Sequence, residues 1–167
     1  MKNSIDGIIP ACTCCFTGHR KIPYEDSEWL KKRIHQAIVY CCSNGITTFI
    51  AGGALGFDTL AAAAVIEEKE RHPEIMLVLA LPCRDQTKFW AEEDRSVYAF
   101  IEKKADRVML LSEQYYSGCM QVRNKFMVDN SAYCVCYLKE TYGGTYNTVK
   151  YAKNEGLRVF NIAIGKR

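Results

Sequence analysis

Apolar residues along this 167-residue chain fall into two alternating rhythms. Short, nearly continuous apolar runs occupy residues 12–17, 47–51, 75–81, 108–111, 133–138 and 158–164. The run Ile75-Met76-Leu77-Val78-Leu79-Ala80-Leu81 is too short for a typical helix and has no polar face, as expected of a strand covered on both sides. Between these runs apolar positions return at helical spacing: Leu30, Ile34, Ala37, Ile38 and Cys41; Leu60, Ala64 and Ile66; Trp90, Val97, Tyr98 and Ile101; Val122, Phe126 and Met127. A fifth helix is expected over residues 145–154, and Asn44-Gly45, Pro73 and Gly156 supply stops. Strand and helix alternate throughout, without internal repeat or low-complexity linker. This predicts an α/β fold: a Rossmann-like, doubly wound, mainly parallel sheet of about six strands with helices on both faces. Residues 1–11 are expected to form an N-terminal arm and residues 12–167 a single domain.

Composition narrows the class without naming a function. Twenty-two basic residues against 19 acidic ones leave a net charge of +3, and 49% of the chain is hydrophobic. A bulk polycation and a disordered chain are both excluded. The opening Met1-Lys2-Asn3-Ser4-Ile5-Asp6-Gly7 lacks the apolar core of a secretory signal, and no run approaches the roughly 18 apolar residues of a membrane span. The expectation is a soluble, cytoplasmic protein with no membrane partner and reduced thiols. Nine cysteines are an odd number and too sparse for a disulfide scaffold. Cys12/Cys14 and Cys134/Cys136 are spaced to share a strand face, where free cysteine packs as a small hydrophobe. Their spacing, with the three histidines scattered, predicts no metal site. Cys119 stands where a helix should begin, which lowers a thiol pKa, but no histidine lies near it in sequence to act as a base.

Open parallel sheets bind ligands beyond the carboxyl ends of their strands, at the point where strand order reverses. Gly18-His19-Arg20, Gly52-Gly53-Ala54-Leu55-Gly56-Phe57-Asp58, Pro82-Cys83-Arg84 and Gly143-Gly144-Thr145 each follow a predicted strand and converge on that rim. Gly52, Gly53 and Gly56 run directly into a helix, whose N-terminal N–H groups suit an anion such as phosphate. The same residues also make an ordinary tight strand-to-helix turn. The dinucleotide fingerprint G-x-G-x-x-G is incomplete and no P-loop lysine follows, so NAD dehydrogenase and NTPase readings lose support. Thr145 could cap its helix or donate to a phosphate oxygen. Arg123 could equally be a solvated surface arginine, and Asp58 and Asp129 are the carboxylates nearest the rim. Trp90 and Tyr115 are candidates for stacking on a base, although Trp90 fits a core position as well.

Taken together, Cys15-Phe16-Thr17-Gly18-His19-Arg20, Gly52-Gly53-Ala54-Leu55-Gly56-Phe57-Asp58-Thr59-Leu60 and Gly143-Gly144-Thr145 resemble the SLOG superfamily, named from Smf/DprA and Lonely Guy proteins. The nearest resemblance is to its YpsA-like branch of small bacterial proteins, and it covers residues 12–163. It implies binding or sensing of a nucleotide-derived ligand, such as ADP-ribose, NAD or a nucleoside monophosphate. Gly18, His19, Arg20, Gly52, Gly53, Gly56, Asp58, Arg123, Gly143, Gly144 and Thr145 would supply the site. Lonely Guy enzymes are phosphoribohydrolases with an Arg-Lys-x-x-Met helix and a Pro-Gly-Gly-x-Gly-Thr-x-x-Glu segment. Arg123-Asn124-Lys125-Phe126-Met127 keeps the arginine and the methionine. The second segment departs: Tyr142 stands at the proline, and Asn147-Thr148 stand where the acidic residue is expected. An N-glycosidase acting on nucleoside monophosphates is therefore an alternative, with Asp58 as its catalytic carboxylate. DprA-type members bind single-stranded DNA, but Lys31-Lys32-Arg33 and Lys103-Lys104 fall on separate helices and make no basic stripe, so a nucleic-acid partner is not expected. The resemblance also makes a homodimer plausible.

Overall fold

The computed structural model describes residues 7–165. Six strands alternate with five α-helices among them: β1 Thr13–Gly18, α1 Ser27–Ser43, β2 Thr48–Ala51, α2 Phe57–Glu68, β3 Met76–Leu81, α3 Glu92–Lys104, β4 Arg107–Leu110, α4 Cys119–Asp129, β5 Tyr133–Tyr137, α5 Gly143–Asn154 and β6 Arg158–Asn161. The strands form one open sheet in the order β4-β3-β2-β1-β5-β6, and every neighbouring pair is parallel. The chain winds outward from β1 to β4, then returns to place β5 on the other side of β1. The order therefore reverses between β1 and β5.

Strand alternation builds two cores, one on each face of the sheet. Cys14 and Phe16 of β1, Phe49 of β2, Leu77 and Leu79 of β3 and Val135 of β5 face α1, α2 and α3. Cys15, Ile50, Val78, Ala80, Cys134 and Cys136 face α4 and α5. Phe16 stacks on Phe49 at 5.8 Å between ring centroids and meets Phe57 edge-on at 6.2 Å. Burial on both faces explains why the strands read as continuous apolar runs.

Differences from the sequence reading lie at element ends. Cys12 belongs to a 3-10 turn, Pro10–Cys12, so of its pair only Cys14 is on a strand. Trp90 precedes α3, because the residue before the helix, Ala91, is extended (φ −59°, ψ 151°). The last strand stops at Asn161, and α5 begins two residues early, at Gly143. Residues 1–6 of the expected arm and residues 166–167 lie outside the described residues; Ile8 is fully buried in the second core. Among the described residues all nine cysteines are free, no group of three or more ligating side chains is placed to hold a metal, and no helix is long and apolar enough to cross a membrane.

Candidate functional site

A cavity of about 600 Å³ opens over the carboxyl end of β1, at the reversal point between β1 and β5. Four stretches wall it: the end of β1 through Arg20, the β2–α2 turn, α4, and the first turns of α5.

The β2–α2 turn carries three glycines for steric reasons internal to the protein. A Cβ on Gly52 would stand 2.7 Å from both Arg123 Nη1 and Asp58 Oδ2. Gly56 has φ +76°, and a Cβ there would come within 2.1 Å of the Arg20 carbonyl oxygen. Gly53 turns away toward Leu81, and its carbonyl accepts from Gln86 Nε2 at 3.3 Å. None of the three lines the cavity; the turn contributes Ala54 and Asp58 instead.

Asp58 lies in the first turn of α2 and Arg123 in the middle of α4, and both are buried. The Arg123 Nη1 group donates to the Gly52 carbonyl and lies 3.5 Å from the Ala80 carbonyl, tying together the ends of β2 and β3. Its Nε donates to Asn124 Oδ1 at 2.9 Å. Asp58 Oδ2 accepts from the Ala54 N–H at 3.3 Å. Burial pushes the Asp58 carboxyl up from its ordinary value, opposed by the Arg123 charge. Burial likewise pulls the Arg123 guanidinium down, opposed by Asp58. Arg123 is thus a structural clamp whose edge reaches the cavity floor, not the solvated residue that an arbitrary helical arginine would be.

At the end of β1, the half-buried Gly18 leaves room for Phe57, whose ring a Cβ would meet at 2.4 Å. Phe57 stacks on Tyr137 at 6.1 Å, and His19 meets Tyr137 edge-on at 5.8 Å. The Lys139 N–H donates to His19 Nε2 at 2.9 Å, which leaves the ring proton on Nδ1. Burial lowers the His19 pKa below 6.5; Glu140 opposes and Lys139 reinforces the shift. Arg20 is exposed on the rim.

The opposite wall is α5. Its N-cap, Tyr142, is extended and makes no side-chain cap, so Thr145 does not cap the helix either. Nothing lies within 4 Å of a Cβ built on Gly143 or Gly144, so this turn opens into free space. The Thr148 hydroxyl donates to the Gly144 carbonyl at 2.8 Å and is committed to the helix. Tyr151 donates to Asp129 at 2.6 Å, which pushes its phenol up to about 12, and Lys125 Nζ lies 5.8 Å from its ring.

The structure therefore brings Gly18, His19, Arg20, Asp58, Arg123, Gly143, Gly144 and Thr145 to one cavity. Trp90 and Tyr115 are placed elsewhere: Trp90 packs edge-on against Tyr98 of α3 at 5.7 Å, and Tyr115 is 63% exposed in the β4–α4 connection. The aromatic ring that α5 offers the cavity is Tyr151, one of several lining residues that sequence reasoning missed, with Met120, Asn124, Lys125 and Asn147. Helical spacing carried the signal: Tyr151 lies seven residues after Gly144, and Met120 seven before Met127.

An open parallel sheet with helices on both faces and a cavity at its reversal point defines a Rossmann-like α/β domain. The chain belongs to the YpsA family, described as the YspA SLOG family, whose model matches residues 15–163. A UPF0398 protein of Bacillus cereus is 30% identical over 132 residues, covering 77% of this chain and 72% of its own. The SPbeta prophage-derived protein YoqJ of Bacillus subtilis is 32% identical over 117 residues, covering 63% of this chain and 68% of its own. Among solved structures, DNA processing protein A (DprA) of Streptococcus pneumoniae superposes with a TM-score of 0.66 at 18% identity, over 92% of this chain and 50% of that one. DprA of Helicobacter pylori, described in terms of its single-stranded DNA binding mode, gives 0.64 at 15% identity, over 91% of this chain and 65% of that one. At these identities the DprA likeness is one of fold, and this chain spans half the length of the pneumococcal protein.

Proposed function

We propose that the chain binds a nucleotide-derived small molecule in the cavity at the β1/β5 reversal point. The observation that carries this reading is the uncapped N-terminus of α5, opening at Gly143-Gly144 onto a cavity with Arg20 and Lys125 on its other walls. Free N–H groups and two exposed cations suit a phosphate. A volume of about 600 Å³ falls within the range of small-molecule sites and accommodates a nucleoside as well. Adenosine monophosphate, ADP-ribose and NAD are the ligands to try first. Thermal shift and calorimetry test the reading: one site at 100 times Kd raises stability by about 2.7 kcal/mol. Absence of a shift with every nucleotide overturns it.

A second reading is N-glycosidic cleavage of a nucleoside monophosphate. One observation favours it: Asp58 is a buried carboxyl at the cavity floor whose proton affinity burial raises, the condition that suits a general acid. Against it, Asn147 lines the wall near the position where related hydrolases carry a glutamate. Release of free base from a nucleotide panel, abolished in Asp58→Asn, decides for it. Single-stranded DNA binding rests on fold likeness alone, and the net charge of +3 gives it little electrostatic footing.

A further inference from the structure

The floor of the cavity is chemically unlike its rim. At the rim stand the exposed Arg20 and Lys125 and the open N-terminus of α5, all positive in character. At the floor a buried carboxyl, Asp58, and a buried guanidinium, Arg123, lie on either side of Gly52: Asp58 Oδ2 and Arg123 Nη1 are each 2.7 Å from the place a Cβ there would take. Their formal charges cancel, yet they are absent from the ion pairs of the described residues. Arg123 Nη1 is turned to the Gly52 carbonyl, and Nε to Asn124 Oδ1. Among the described residues the remaining group, Nη2, reaches only the Met120 sulfur, a weak acceptor, at 3.9 Å. Asn124 extends the floor with a fixed polarity. An arginine Nε can only donate, so the 2.9 Å contact turns the Asn124 carbonyl oxygen toward Arg123 and leaves its amide N–H groups for the cavity that Asn124 lines.

We propose that Asp58, Arg123 and Asn124 read the ribose hydroxyls of the bound nucleotide, so that the site selects ribonucleotides with free 2′ and 3′ hydroxyls over their deoxy forms. The inference rests on the nucleotide-binding reading above and adds an orientation to it: phosphate at the rim, sugar on the floor. One acceptor, the Asp58 carboxylate, stands there beside two donors, Arg123 Nη2 and Asn124 Nδ2. A hydroxyl suits all three, because it donates and accepts at once. A phosphate offers acceptors alone and would set its charge against Asp58 in a buried place, where like charges are costly. An amino group of a base offers donors alone and leaves Arg123 and Asn124 unanswered. A vicinal diol supplies two hydroxyls, enough to meet the carboxylate and both donors.

Calorimetric titration of the whole chain with adenosine monophosphate and its 2′-deoxy and 3′-deoxy forms tests the proposal. Loss of either hydroxyl is expected to weaken binding about tenfold or more, because buried polar groups are left unpaired. Asp58→Asn is expected to weaken the ribonucleotide and leave the deoxy forms nearly unchanged, so that the preference collapses. A merely structural role would lower all three alike. Asn124→Ala, at a half-buried position outside the core, should narrow the preference in the same way. Equal binding of the three nucleotides to the wild type, or an equal loss for all three in both variants, overturns the hydroxyl reading and leaves the nucleotide site standing. If adenosine monophosphate does not bind at all, the hydroxyl reading falls; the binding reading falls only if ADP-ribose and NAD fail as well.

Discussion

The Arg123 guanidinium donates to the carbonyl of Gly52, across the space a side chain on residue 52 would occupy. A residue from α4 thus holds down the end of β2, and the glycine exists so that it can. Gly52→Ala places a methyl 2.7 Å from both Arg123 Nη1 and Asp58 Oδ2, so one of the two must move. The expected loss is about 1–3 kcal/mol of stability, by overpacking and disruption of the clamp. Denaturant titration measures it, and a loss below the error of the titration would remove the clamp.

Asp58 and Arg123 should couple energetically. Both are buried, and the charge of each opposes the effect of burial on the other's proton affinity. Asp58→Asn and Arg123→Met should each lower stability, and the double variant by less than the sum of the two. Strict additivity in the double-mutant cycle would show that the two charges do not interact.

Gly144→Ala should separate stability from binding. No atom lies within 4 Å of the added methyl, and the position is in the first turn of α5, so the fold gains or keeps stability, by up to about 1 kcal/mol. The methyl would project into the space that the phosphate is proposed to use. A raised thermal midpoint with weakened nucleotide binding is the expected pair of results; unchanged affinity would place the phosphate elsewhere.

Most of the architecture was legible because its signals are local. Apolar runs of strand length and helical spacing between them placed all eleven elements to within a few residues, and the rim rule pointed to the end of the sheet where the cavity opens. Which way a glycine turn faces is not local. Gly52, Gly53 and Gly56 look like a phosphate loop, yet Arg123, Leu81, Gln86 and the Arg20 carbonyl fill the space around them, from residues distant in sequence. Gly143 and Gly144 look weaker and are the pair left open. Trp90 lies one heptad before Val97, so spacing alone put it on α3; the extended Ala91 that breaks the register is a backbone fact.

Thiol reactivity should follow burial. Burial pushes Cys42 and Cys83 up to about 11 and Cys136 up to about 12, leaving little thiolate at neutral pH. Cys119 does begin α4, but it is buried. Native protein treated with a chromogenic disulfide reagent at neutral pH should react fastest at the half-exposed Cys12, with full reaction only on unfolding. Fast labelling of Cys119 in the folded state would restore it as a candidate nucleophile.

His19 should lend the fold a pH dependence on the acid side. Its Nε2 accepts from the Lys139 N–H, so protonation there removes a bond joining the ends of β1 and β5. Burial holds its pKa below 6.5, so between the two values the unfolded chain binds more protons than the folded one. Its contribution is therefore complete above pH 6.5 and is lost as the pH falls from there through the lower, folded-state pKa. A thermal midpoint followed downward from neutral pH should decline through this window, and His19→Gln should flatten that part of the curve. An imidazole NMR titration that places His19 at or above 6.5 would mean that the Lys139 contact does not hold the neutral ring.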